Sequence, residues 1–267
     1  MLSKLRAGKQ GHKNGILNTM TRLTKLRILG YVATIAMHIA NILYMGWFKR
    51  NYPTDDANVK QFKNLEFRFF TTWNFILQIA YAMYALTCDL FILKNAKKKD
   101  YQLPTPISDF REILFAGLVW PCSMVVFTVF WGLYSVDRAL IFPEFLDAVI
   151  PPISNHVIHT MIVPVALWEV VTRPRKEPEN HARNVSQLTL HLCVYVSVMY
   201  FTYIERGIWL YPIFRKLFGT VYFFLALASL GVMFFIFYYL QWSITNWIHG
   251  SKKKAEKKKA KLEKKIK

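Results

Sequence analysis

The chain has 267 residues, 54% of them hydrophobic and 16% aromatic, yet it carries a formal net charge of +19. The two coexist because long apolar blocks alternate with short Lys/Arg clusters, the pattern of an all-α, polytopic membrane protein. This segregation argues against nucleic acid as a partner, because most of the excess charge lies in two tails and no soluble domain remains to present it; Cys88, Cys122 and Cys193, each inside an apolar run, imply neither a disulfide framework nor zinc spacing.

Residues 1–27 contain Lys4, Arg6, Lys9, Lys13, Arg22, Lys25 and Arg27 and no acid, so they form a basic cytoplasmic flank, expected to be disordered to about Asn18. A first span follows at about 28–48, too long an apolar block for a removable signal peptide, with His38 inside it and Tyr44 and Trp47 at the far interface. A polar loop with Pro53, Asp55 and Asp56 leads into a second span from Phe67 to about Leu93, where Thr71 and Asn74 lie three apart and share a helix face. Lys94, Lys97, Lys98 and Lys99 return the chain to the cytoplasm before a third span at about 110–134.

The fourth apolar run, 147–171, carries Asn155, His156 and His159. Pro151-Pro152 defers regular helix to about Ile153. Ionisable groups inside a span cost a few kcal/mol unpaired, about 2.5–3.5 for a central charge, and so mark a functional site by default. A fifth span at about 188–204, with His191 near its cytoplasmic end, and a sixth at about 218–247 precede a Lys-rich tail, residues 248–267. The expected organisation is a six-span domain, 28–247, between two cytoplasmic tails: 26 of the 35 Lys and Arg fall on the tail side and 9 on the other. In that orientation the sequon Asn184-Val185-Ser186 faces the cytosol and stays unmodified.

Thr71 and His159 both sit shallow, at the same end of spans two and four. A hydroxyl within reach of an imidazole is the minimal arrangement for acyl transfer, since the base removes the proton during attack. Asn155, four residues before His159, could orient a substrate or donate to an oxyanion. Against this, a helical Thr commonly returns its hydroxyl to a carbonyl one turn back. Bis-His ligation of haem or metal by His156, His159, His38 and His191 is the rival, weakened by the missing carboxylates and by the distance expected between His191 and the fourth span.

The run Val129-Phe130-Trp131-Gly132-Leu133-Tyr134-Ser135-Val136-Asp137-Arg138, then Ile141-Phe142-Pro143, Leu146-Asp147, Ile150-Pro151 and Asn155-His156-Val157-Ile158-His159-Thr160, resembles the androgen-induced gene 1 / androgen-dependent TFPI-regulating protein family. Arg68-Phe69-Phe70-Thr71, Gln78 and Gly207-Ile208-Trp209-Leu210-Tyr211-Pro212 support the likeness, which covers about residues 28–247. The resemblance implies a membrane threonine hydrolase that cleaves fatty acid esters of hydroxy fatty acids, with Thr71 as nucleophile and His159 as essential histidine. Asn155 and His156 match its motif and are assigned supporting roles, as is Asn74 on the helix face of Thr71; no metal or other cofactor is expected. Thr72 departs from the apolar residue expected after the nucleophile. The implied partners are branched fatty acid esters and membrane lipid; oligomeric state is left open. A non-catalytic membrane regulator is the alternative. The last four residues, Lys264-Lys265-Ile266-Lys267, have the form of a dilysine retrieval signal, and a clamp onto anionic lipid explains the same lysines, so both endoplasmic reticulum and plasma membrane stay open.

Overall fold

A computed structural model describes residues 2–98 and 101–265, with side chains described for 21–98 and 101–250. The end of the dilysine sequence, Ile266-Lys267, lies outside the described residues. Among them the chain is helical throughout, without strands: α1 (Leu2–Asn51), α2 (Ala57–Leu65), α3 (Phe70–Lys94), α4 (Thr105–Leu114), α5 (Trp120–Asp137), α6 (Pro152–His159), α7 (Ile162–Thr172), α8 (Ala182–Arg206), α9 (Pro212–Leu217) and α10 (Val221–Lys265). The backbone of α1 is helical from Leu2, through the segment expected to be disordered, and α10 continues past the boundary expected at residue 247.

Among the described residues five helical stretches are long and apolar enough to cross a membrane: Thr21–Asn51, Phe70–Lys94, Thr105–Leu140, Ala182–Arg206 and Val221–Gly250. The third joins α4 to α5 through a π-helical turn, Phe115–Val119, in which the Trp120 N–H reaches back to the Phe115 carbonyl. Pro121 explains the widening. It lacks the N–H that would bond the Gly117 carbonyl and its ring would strike that carbonyl, so the extra residue relieves both faults without ending the helix.

The expected fourth span departs from a single helix. It is two short ones, α6 and α7, meeting at Thr160-Met161. Helix begins one residue earlier than expected because Pro152 occupies the first helical position, where its fixed φ is an asset. The break belongs to Pro164, which would collide with the Thr160 carbonyl of a continuous helix. That carbonyl instead accepts from the Val163 N–H at 3.2 Å, while the Met161 N–H reaches the His156 carbonyl at 2.9 Å. The consequence for the site is that His159 is the last residue of its helix.

Two polar systems run through the bundle. At the level of the middle of α1 and the end of α3, Arg27 and Arg111 hold Asp89 at 2.6 and 2.8 Å, and Arg111 and Arg173 hold Glu169 at 3.4 and 2.9 Å. Arg173 and Arg175 in turn hold Glu112 at 2.8 and 3.2 Å, and the hydroxyls of Tyr31 and Tyr81 donate to Glu169. Deeper in, Gln78 donates to Ser123 at 2.8 Å and to the Ile162 carbonyl at 2.9 Å, tying α3 to α5 and α7.

One close approach depends on a missing side chain. A Cβ on Gly30 would lie 2.1 Å from Nε1 of Trp168, whose indole donates to the Leu26 carbonyl of α1 at 3.3 Å. Gly30→Leu must therefore push that ring out of its seat, and overpacking of this kind costs about 1–3 kcal/mol. Gly46 meets nothing within 4 Å, and Gly46→Ala gains up to about 1 kcal/mol of helix propensity. Thermal unfolding of the detergent-solubilised chain is expected to shift down for the first variant and stay level or rise for the second.

Candidate functional site

The end of the bundle opposite the arginine network holds the groups the sequence singled out. Thr71 is the second residue of α3, so the helix offers it no carbonyl one turn back. The Phe67 carbonyl, four residues earlier, already accepts from Nε1 of Trp73 at 2.9 Å. The objection that a helical threonine satisfies itself locally thus fails at this position, whereas it holds for the neighbour: Thr72 Oγ1 donates to the Glu66 carbonyl at 2.7 Å. Of the two adjacent hydroxyls, Thr71 is the one left for a partner from another helix.

That partner is His159, whose Nε2 lies 3.3 Å from Thr71 Oγ1. The other ring nitrogen, Nδ1, is 2.7 Å from Asn155 Oδ1 and 3.2 Å from the Asn155 backbone carbonyl. A backbone carbonyl only accepts, so Nδ1 carries the proton whichever way the Asn155 amide is turned. A ring with its single proton on Nδ1 presents a lone pair at Nε2, and the Thr71 hydroxyl donates to it. Phe130 lies flat on the imidazole, with ring centres 3.5 Å apart and planes 7° from parallel. His159 is 5% exposed. Hydrogen bonding in the ring plane and stacking across it leave the imidazole one orientation.

Thr71 is held as firmly. The Phe70 N–H is shared by the hydroxyls of Tyr195 and Tyr211, each at 3.0 Å, and the Phe70 ring packs against Tyr195 and Phe234 at 4.6 and 5.5 Å. Arg68 pairs with Glu205 at 2.6 Å and donates to Thr202 at 3.1 Å, fastening the entry of α3 to α8. That last helix ends at Gly207, whose φ of 68° suits a residue without Cβ and turns the chain toward Tyr211.

Thr71, His159, Tyr195 and Tyr211 face one cavity of about 900 Å³. Its remaining wall is mostly apolar, drawn from α1, α3, α5, α8 and α10 and including Phe75, Phe130, Phe142, Leu192 and Met233; the ion pair Lys49–Glu66, 2.6 Å apart, also borders it. This is near the top of the roughly 300–1,000 Å³ seen for small-molecule sites. The chamber thus joins room for an apolar ligand to a hydroxyl whose proton an imidazole can accept.

The other residues expected at the site lie elsewhere. Asn155 is next to His159, with its side-chain oxygen on the imidazole, and it is not among the residues lining the cavity. His156 points away: its ring stacks on Trp131 at 5.3 Å and Nδ1 is 3.0 Å from Thr160 Oγ1. Asn74 is buried behind the cavity wall, accepting from Ser123 at 3.2 Å in the chain that continues to Gln78. His191 corrects an expectation of depth. Helix α8 starts at Ala182, six residues ahead of the expected span, so His191 sits well inside it and meets Phe70 and Trp73 edge-on at 5.8 and 5.6 Å. Its neighbours are aromatic, and among the described residues no group of three or more His, Cys, Asp or Glu is placed to hold a metal ion. Tyr195, 125 residues from Phe70, was not singled out in the sequence, and Tyr211, 141 residues away, entered only as part of the run 207–212 and with no role at the site.

No solved structure matches the chain. It is 34% identical to the human androgen-dependent TFPI-regulating protein over 82% of its own length and 96% of that protein's, and 30% identical to the Rattus norvegicus protein of the same name over 81% and 92%. Identity to the human androgen-induced gene 1 protein is 27% over 80% and 91%. Residues 27–246 match the family described as FAR-17a/AIG1-like protein, an extent that takes in every residue of the site, and the chain belongs to that family.

Proposed function

We propose that this chain is a multi-pass membrane ester hydrolase in which Thr71 is the nucleophile, His159 the general base and Asn155 the residue that positions the imidazole. The observation that carries the reading is the 3.3 Å contact between Thr71 Oγ1 and the nitrogen of His159 opposite the Asn155-bound one. In the first half-reaction Nε2 takes the Thr71 proton as Oγ1 adds to the ester carbonyl, and returns it to the departing alkoxide. The alcohol leaves and the acyl group stays on Thr71. In the second half a water gives its proton to the same nitrogen and attacks the acyl-threonine; as the adduct collapses the nitrogen returns that proton to Thr71 Oγ1 and the carboxylic acid is freed.

The substrate class is a fatty acid ester of a hydroxy fatty acid. Such a molecule is two long chains about one ester, which suits an apolar chamber of about 900 Å³ with one polar wall. It partitions into a bilayer and reaches a membrane-embedded site sideways. The broken helix α6–α7 supplies the sixth crossing, and the Lys/Arg excess puts both tails on the cytosolic side, in the endoplasmic reticulum or plasma membrane. The competing reading is a non-catalytic membrane regulator, favoured by relatives whose name speaks of regulating TFPI. A scaffold does not require a hydroxyl and a tautomer-fixed imidazole facing a lipid-sized cavity.

A fluorophosphonate probe separates the two. The detergent-solubilised chain is expected to take up one probe per molecule, mapped by peptide mass spectrometry to Thr71, with lipid ester competing for the label. An adduct on Thr72 would move the nucleophile by one residue. Absence of any adduct, together with no release of fatty acid from the ester, would leave the regulator reading standing.

A further inference from the structure

We propose that the hydroxyl of Tyr211 is the oxyanion donor of this site, a catalytic residue that binds the carbonyl oxygen of the ester as Thr71 attacks; this rests on the hydrolase reading above. Attack puts a negative charge on the former carbonyl oxygen, and a site that speeds acyl transfer needs a donor aimed at it before the charge develops. The Thr71 hydroxyl and the His159 ring cannot serve, because one is the attacking group and the other is engaged with its proton. Asn155 is not among the residues lining the cavity.

Tyr211 stands at the start of α9, with Phe69 edge-on to its ring at 5.4 Å. Its oxygen is 3.0 Å from the Phe70 N–H, so it is bound to the residue immediately preceding the nucleophile. Tyr195 shares that N–H at 3.0 Å and donates its own proton to Tyr211 at 3.1 Å. The oxygen of Tyr211 thus receives two hydrogen bonds, while its own proton has no acceptor among the described residues. Both hydrogen bonds pull electron density off the phenol and make that proton a better donor, by the mutual polarisation of bonds in a chain. A donor fixed by two partners, held beside the nucleophile, facing the cavity and left without a protein acceptor is preorganised for a charge that appears only during reaction. The phenol lends a hydrogen bond and keeps its proton; when the tetrahedral adduct collapses the carbonyl reforms and the phenol is free again.

Removing the hydroxyl leaves the frame standing, because in Tyr211→Phe the Phe70 N–H still has Tyr195. The experiment compares wild type, Thr71→Ala, Tyr211→Phe and chains carrying mono- and difluorotyrosine at position 211, all full length in detergent, with one fatty acid ester of a hydroxy fatty acid. Loss of one oxyanion donor lowers kcat by about 10²–10³-fold, and KM is expected to move less than about threefold because the interaction belongs to the transition state. Fluorination, which acidifies the phenol without reshaping it, is expected to alter kcat in step with phenol acidity at constant KM. Wild-type turnover in Tyr211→Phe, beside an inactive Thr71→Ala, overturns the proposal and leaves the hydrolase intact. Should Tyr211→Phe not fold, the fluorotyrosine series decides, and a flat kcat across it overturns the proposal. Full turnover in Thr71→Ala removes the hydrolase reading and the role of Tyr211 with it.

Discussion

Thr71→Ala is expected to abolish release of fatty acid from a lipid ester, with a loss of up to about 10⁶ in kcat, the size found when the nucleophile or the base of a catalytic triad is removed. No neighbour can substitute. Thr72 is turned about 100° around the helix and its proton is spent on the Glu66 carbonyl. Thr71→Ser is expected to keep part of the rate: it retains the oxygen but loses the methyl that restricts the side chain to few rotamers, so the hydroxyl spends less time on Nε2. His159→Ala should match Thr71→Ala, since the two act as a unit and the second removal adds little to the first. Asn155→Ala leaves the backbone carbonyl, 3.2 Å from Nδ1, as the remaining orienting group, and misplacement of this order costs about 10²-fold. The measurement is fatty acid released per molecule of folded, detergent-solubilised chain. Equal turnover in wild type, Thr71→Ala and His159→Ala would end the assignment.

What could be read from the sequence divides along physical lines. Apolar blocks long enough to cross a bilayer declare themselves by composition, and five of the expected spans recur as helices; the first, third and fifth run longer than hydropathy suggested because polar turns extend them, while the second and sixth start three residues later, at Phe70 and Val221. The fourth did not survive as one helix. Pro164 was present to be read, but the adjacent Pro151-Pro152 drew the argument to the start of the run instead of its middle. Thr71 and His159 entered through a family resemblance and a shared depth; their contact at 3.3 Å is a product of packing between helices 88 residues apart. For Asn155, spacing placed the side chain on the face of His159 without saying which atom meets the imidazole; the oxygen does. Tyr195 and Tyr211 reach Phe70 from distant elements, and no period connects them. Asp89, Arg111 and Glu169 carried a usable signal that went unused: single charges inside or bordering apolar windows barely move a hydropathy average, yet three near one end of different spans are a pairing waiting to be made.

That pairing gives the largest expected effect on stability. Arg27, Asp89, Arg111, Glu169, Arg173, Glu112 and Arg175 alternate in sign along a chain of contacts between 2.6 and 3.4 Å, four guanidinium groups against three carboxylates. Asp89 is the weakest point of the network in energetic terms, since it is 0% accessible and is, among the described residues, the sole carboxylate on Arg27. Asp89→Asn leaves Arg27 with Thr24 and the Thr172 carbonyl, and Arg111 with Glu169 alone. Breaking a buried pair by removing one partner costs about 3–5 kcal/mol, mostly because the other charge is left buried without compensation. The sign of the remedy follows. Arg27→Gln added to Asp89→Asn removes the stranded charge, and every remaining arginine keeps a carboxylate: Arg111 on Glu169, Arg173 on Glu169 and Glu112, Arg175 on Glu112. The double variant is therefore expected to unfold at a higher temperature than Asp89→Asn alone, a coupling that independent sites would not show. Thermal unfolding of the four chains of this cycle in one detergent measures it. Additive losses would mean that water reaches Arg27 and that the network is not the closed, interdependent latch its distances describe. Because the network lies at the opposite end of the bundle from Thr71 and His159, the folded fraction of each variant is expected to keep its ester turnover, which separates a loss of structure from a loss of chemistry.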